Sequence, residues 1–183
     1  PFDEVVAHYR DLVADAPATF DRTPHPEDVA LREALLARKR ATPFERALVT
    51  GCGVGRAVFV VREIASSGVL GLDSSLARLR RARNIAVTLG PFLLPLDEAS
   101  IAAGGPREAP IALHRLVRDG VDFVAGDVAA LPFCDAAFDL VVTTPDALRG
   151  DERAIARAEA EARRVLAPGG LRLAAGPDGR FEA

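Results

Sequence analysis

A chain of 183 residues, 49% of them apolar, is long enough for one domain with a sizeable core and too short for two comfortable ones. Its formal charge of −3, with acidic and basic residues spread along the chain, leaves no basic face for a phosphate backbone, so nucleic acid is not an expected partner. No apolar run approaches the ~20 residues that span a bilayer, and the N-terminus lacks the basic-then-apolar layout of a secretory signal, so a soluble protein with no membrane partner is expected.

Residues 1–45 read as helical. Val5, Val6, Tyr9, Leu12 and Val13 fall at helical spacing in Phe2 to Ala14, and the prolines between Pro17 and Pro26 break the pattern. Pro26-Glu27-Asp28 then opens a second helix with acids in its first turn, and Arg38-Lys39-Arg40 closes it. These two helices are expected to cap or lid a core formed by residues 46–183.

From Arg46 the period changes. Ala47 to Thr50 is a short apolar run stopped by Gly51-Cys52-Gly53-Val54-Gly55, and helical spacing resumes through Val60, Val61 and Ile64. Val69 to Leu72 is the next buried strand, ending at Asp73, and Leu76, Leu79, Ala82, Ile85 and Leu89 make the helix after it. Residues 90–118, with four prolines and a Gly104-Gly105 pair, read as a long insertion. Strands follow at Val121 to Ala125 and Phe138 to Thr143. Glu152 to Leu166 is helical, Pro168-Gly169-Gly170 stops it, and Leu171 to Ala175 is a fifth strand.

Strands alternating with helices predict an α/β fold, a doubly wound, mainly parallel Rossmann-like sheet of about five strands. Such sheets bind ligands beyond the carboxyl ends of their strands, where the strand order reverses. Gly51 to Gly55, Asp73, Asp127 and Thr143 to Asp146 all follow predicted strand ends, so four separate segments converge on one edge.

Glycines at 51, 53 and 55 let the backbone turn sharply and approach a ligand, with the next helix presenting its free N–H groups; the alternative is a turn needed only for geometry. The dinucleotide fingerprint wants a small residue where Arg56 stands, which disfavours a nicotinamide cofactor. Asp73, followed by Ser74, ends its strand where a carboxylate can accept from both ribose hydroxyls, or else cap the next helix. Asp127 can accept from an exocyclic adenine amine while Val128 packs on the ring; a helix cap is again the rival. Cys52 offers its backbone to the ligand, and its thiol has no recognisable activating partner. Cys52 and Cys134 suggest neither a disulfide framework nor a metal site, and a reducing, cytoplasmic setting fits them.

With these motifs in view, the sequence resembles the class I S-adenosylmethionine-dependent methyltransferases, and more narrowly bacterial methyltransferase-domain proteins. The segments that carry the resemblance are the glycine turn, the acidic end of the second strand, Gly126-Asp127-Val128-Ala129-Ala130-Leu131-Pro132-Phe133, Ala137 to Val142, and Arg164-Val165-Leu166-Ala167-Pro168-Gly169-Gly170. The resemblance implies S-adenosylmethionine as cofactor and methyl transfer to a small-molecule acceptor. It carries the glycine turn to the donor's amino-acid end, Asp73 to the ribose, and Asp127 with Val128 to the adenine; Ser74 and Thr143 join this set. It also puts Thr143 to Leu148 near the transferred methyl, where Asp146 is a candidate base and a structural turn residue is the rival.

Two departures from the family pattern bear on activity. The family usually has an acid two residues before the first glycine, holding the donor's ammonium, and here that residue is Val49. Only Gly176 to Ala183 follow the fifth strand, so the terminal hairpin is expected to be absent and the fifth-strand edge exposed, or covered by a second copy or a partner protein. These departures motivate a rival function, a catalytically inactive nucleoside-binding or scaffold domain. The start at Pro1 and the lack of methionine suggest a processed or trimmed chain. His8, Tyr9, His25 and His114 lie outside the motifs and read as surface or packing residues, or as lid residues over the crevice.

Overall fold

A computed structural model describes residues 26–38, 43–87, 92–95, 108–111, 119–176 and 180–183. The expected helix over Phe2 to Ala14, and His8, Tyr9, His25 and His114, lie outside the described residues. In chain order the elements are α1 (Pro26–Ala37), β1 (Arg46–Thr50), α2 (Arg56–Arg62), β2 (Gly68–Asp73), α3 (Leu76–Val87), β3 (Phe92–Pro95), β4 (Glu108–Ile111), β5 (Val121–Ala125), β6 (Phe138–Thr143), a 3-10 turn (Pro145–Leu148), α4 (Glu152–Val165), β7 (Leu166–Ala175) and β8 (Phe181–Glu182).

The main sheet runs β5-β2-β1-β6-β7-β8. Its first five strands are parallel neighbours, and β8 is antiparallel to β7. The strand order reverses at β1: the chain runs outward from it to β2 and β5, then returns to β6 on its other side. Each central strand buries consecutive apolar residues because both faces are covered. Val49, Leu140, Val142 and Leu173 pack on one face with Leu31 and Leu35 of α1, Val58 and Phe59 of α2, and Leu79 and Ile85 of α3. Their neighbours Leu48, Leu72 and Val141 face the other way, toward Ala162 and Val165 of α4 and the Leu131 loop. Helix α4 forms where Asp151 caps it, accepting from the Ala154 N–H at 2.8 Å, and it buries Ala158, Ala162 and Val165, spaced by four and three.

Three expectations need correction. The insertion at residues 90–118 contains an antiparallel two-stranded pair, β3 with β4; Pro95 ends one strand and Pro110 lies within the other, positions that a two-stranded ribbon separate from the main sheet tolerates because each strand has an open edge. The last long strand begins at Leu166 rather than Leu171; Pro168-Gly169-Gly170 lies within it, and its ladder with β6 shifts register between Phe138 and Leu140 to take up the extra residues. The edge of that strand is not bare along its length, since β8 pairs Glu182 with Ala174 and Phe181 with Ala175 and inserts Phe181 into the first core. Among the described residues, no helix is long and apolar enough to cross a membrane.

Candidate functional site

The strand ladders bring the predicted segments to one level. Thr50 is paired with Leu72 and with Thr143, and Asp73 with Ala125, so the glycine turn, Asp73, Gly126-Asp127 and Thr143-Thr144 leave the sheet side by side at its carboxyl edge, at the point where strand order reverses.

The glycine turn is tightly wound, with positive φ at Gly51, Gly53 and Gly55. The Cys52 N–H donates to the Leu72 carbonyl at 3.0 Å and the Gly55 N–H to the Cys52 carbonyl at 2.9 Å, after which Gly55 opens α2. The space left by two missing side chains is occupied by the protein. A Cβ on residue 51 would lie 2.4 Å from the Ala147 nitrogen, and one on residue 55 would lie 3.1 Å from the Phe123 ring. The loop after β6 and an aromatic ring from β5 thus fill the places where side chains at these two positions would stand.

Asp73 is buried and lies between two turns. Its Oδ2 accepts from the Gly53 N–H at 2.9 Å and its Oδ1 from the Ser75 N–H at 2.8 Å. The cap of α3 is Ser75, whose hydroxyl oxygen accepts from the Arg78 N–H at 3.4 Å; Asp73 instead ties the glycine turn to the start of that helix. Two of the four or so lone-pair directions of its carboxylate are used. Ser74 is exposed beside it. Asp127 is exposed at the end of β5, where its Oδ1 accepts from the Ala129 N–H at 2.8 Å, and Val128 is partly buried against the second core. Thr143 is buried, and its Oγ1 has no hydrogen-bond partner among the described residues. The Thr144 hydroxyl donates to the Gly51 carbonyl at 2.7 Å.

Burial pushes the Cys52 thiol well above its ordinary range, and the nearby Asp73 carboxylate pushes it further the same way. A thiol held protonated is a poor nucleophile. Val49, at the position where the resemblance expects an acid, is fully buried in the first core. Asp146 has both carboxylate oxygens engaged: Oδ2 by Arg78 at 3.0 Å and Oδ1 by Arg149 at 2.7 Å. A carboxylate with both oxygens held by guanidinium groups suits a positioning role better than that of a base.

Sequence reasoning missed Arg78, Phe123 and the docking of Arg56. Arg78 stands three residues into α3 with 12% of its side chain exposed, and only the fold brings it to the loop after β6. Phe123 meets Phe59 edge to face, with ring centroids 6.4 Å apart, over Gly55 and Gly71. Arg56, whose size argued against a dinucleotide turn, reaches away to α1, pairing with Glu27 at 2.6 Å and Asp28 at 2.9 Å. Among the described residues, no group of three or more His, Cys, Asp or Glu side chains is placed to hold a metal ion.

No curated protein matches the chain in sequence. A putative S-adenosyl-L-methionine-dependent methyltransferase from Methanococcus maripaludis has a similar structure, with a TM-score of 0.61 and 19% identity over 98% of this chain and 66% of that one. An S-adenosylmethionine-dependent methyltransferase from Mesorhizobium loti aligns at a TM-score of 0.52 and 25% identity, covering 81% and 54% of the two chains. The 4+2 cyclase SpnF shares the fold as well, at a TM-score of 0.57 and 23% identity over 94% and 56%. The chain thus spans between half and two thirds of the length of these proteins. Residues 48–174 match the methyltransferase domain family, a stretch that runs from β1 to β7 and takes in every predicted site residue. With this sheet order, and with its motifs at the carboxyl edge, the chain belongs to the methyltransferase domain family of S-adenosylmethionine-dependent fold.

Proposed function

We propose that the chain catalyses methyl transfer from S-adenosylmethionine to a small-molecule acceptor, in the cytoplasm, with the donor held at the carboxyl edge of β1, β2, β5 and β6. The observation that carries this reading is the pair of acidic residues on adjacent strand ends. Asp73 keeps lone-pair capacity after accepting two backbone N–H bonds, and Asp127 keeps an oxygen without a hydrogen bond among the described residues. A nucleoside needs such acceptors for its ribose hydroxyls and its adenine amine. The unpartnered, buried Thr143 hydroxyl at the next strand end also fits a polar ligand, because an unmet buried hydroxyl costs free energy that a bound group can recover.

In this reading Asp73 and Ser74 hold the ribose, Asp127 and Val128 the adenine, and the Gly51, Cys52, Gly53 and Gly55 turn with Thr143 the remainder of the donor. The donor supplies an electrophilic methyl on a sulfonium. The protein's task is then to align the acceptor atom with that carbon and exclude water, so a strong base at Asp146 is not required. Calorimetric titration with S-adenosylhomocysteine, with NAD as control, tests the reading. Micromolar binding of the first and none of the second is expected, and Asp73→Ala should weaken it by about 1–3 kcal/mol, the cost of a lost hydrogen bond to a charged group.

A second reading is favoured by Val49, the buried valine at the acid's position. The domain would then be a methyltransferase-like scaffold, with β7 and β8 presenting the sheet edge to a partner. A folded protein that binds neither S-adenosylmethionine nor its demethylated product would select it.

A further inference from the structure

The ion pair between Arg78 and Asp146 crosses the site. Arg78 belongs to α3, which follows β2, and Asp146 belongs to the turn that follows β6; these strands flank β1 on opposite sides. A contact of 3.0 Å between them therefore bridges the carboxyl end of β1, where the glycine turn begins. The turn bearing Asp146 is seated on that glycine. Thr144 donates to the Gly51 carbonyl, and the Ala147 nitrogen would be 2.4 Å from a Cβ at residue 51. Arg78 lies close enough to the Cys52 thiol to offset part of the rise that burial and Asp73 impose on it.

The donor's amino-acid end carries an ammonium and a carboxylate on one carbon, and its recognition requires an acceptor-only anion and a cation a few ångströms apart. Val49 supplies no charge and points into the core. Asp73 accepts from the Gly53 and Ser75 N–H groups, and its remaining capacity is assigned above to the ribose. Asp146 and Arg78 retain 22% and 12% of their side-chain surface, so neither side chain is fully sealed from the crevice. The Asp146 carboxylate keeps lone-pair directions after its two arginine contacts, and a guanidinium fork can take a second carboxylate.

We propose that Arg78 and Asp146 form the subsite for the donor's amino-acid end, Arg78 taking its carboxylate and Asp146 its ammonium, in place of an acid at position 49. The assignment rests on the donor reading given above. It makes the two side chains binding residues for one half of the donor and leaves the nucleoside half to Asp73 and Asp127.

Two ligands separate the halves: S-adenosylhomocysteine, and 5′-methylthioadenosine, which has the same nucleoside and no amino-acid chain. Calorimetry on the whole chain should show Asp146→Asn and Arg78→Gln losing about ten- to a hundredfold in affinity for S-adenosylhomocysteine, the effect of one charge-assisted contact. Their affinity for 5′-methylthioadenosine should stay within twofold of the parent. A parallel loss for both ligands, or no loss for either, overturns the subsite. So does a parent protein that binds the two ligands equally well, a result that leaves the donor reading standing. A folded parent that binds neither ligand overturns the donor reading and the subsite with it. Should Arg78→Gln fail to fold, Arg78→Lys, which keeps the charge and loses the fork, carries the same comparison beside the isosteric Asp146→Asn.

Discussion

Gly51 shows how one missing side chain organises this site. Its φ of +67° suits glycine, and an added methyl would press on the Ala147 backbone and the Thr144 hydroxyl at 2.4 and 2.8 Å. Backbone cannot retreat as a flexible side chain can, so Gly51→Ala should destabilise the domain by about 2–4 kcal/mol, adding overpacking to a strained backbone. Urea unfolding measures this, and a loss under 1 kcal/mol would mean that the loop after β6 is not seated there. The need for glycine was legible in Gly-Cys-Gly-Val-Gly, since few other residues allow so tight a turn. What fills the space was not, because Ala147 is almost a hundred residues away and nothing local to either segment signals their contact. Asp73 shows the same division. Its place at a strand end was readable, and its two backbone partners were not.

Helix α1 is joined to α2 by charges at both ends of their contact, Arg56 with Glu27 and Asp28, and Arg32 with Glu63. Burial raises the Asp28 carboxyl to about 6, with Arg56 opposing the rise. A folded-state value above the unfolded one means that the folded protein binds the proton more tightly. The associated stability is therefore fully present below pH 3.8 and lost as the pH climbs through about 6. The span amounts to about 2–3 kcal/mol. Asp28→Asn should flatten this part of the stability profile, while Glu27 keeps the contact with Arg56; unfolding midpoints measured between pH 4 and 7 would show it, and an unchanged slope would refute it. Most element types were legible because their apolar periods were clean, as in β1, β6 and α4. The β3–β4 ribbon was not, since the prolines in Phe92–Pro95 and Glu108–Ile111 hide a strand pattern. The early start of β7 was hidden too, because Pro-Gly-Gly reads locally as a stop and only pairing with β6 holds it extended.

At the scale of the whole molecule, β8 closes an edge that its length alone would leave unguarded. It is two residues long, yet Phe181 is buried in the core that α1, α2 and α3 share, so the end of the chain is anchored by packing more than by its ladder. Phe181→Ala should cost about 3 kcal/mol in denaturant unfolding, as expected for a large aromatic removed from a packed site. A cost near zero would mean that β8 is not docked. By itself the sequence determined the α/β alternation, the glycine turn, and the acids and hydroxyls at strand ends, because these depend on local periodicity and on backbone geometry that few residues tolerate. The tertiary structure alone decided which segments meet: Ala147 on Gly51, Arg56 with the acids of α1, β8 on β7, and Arg78 with Asp146 across the end of β1. Contacts between distant segments depend on strand order and on packing of the whole core, and strand order is set by how all the elements bury their faces together.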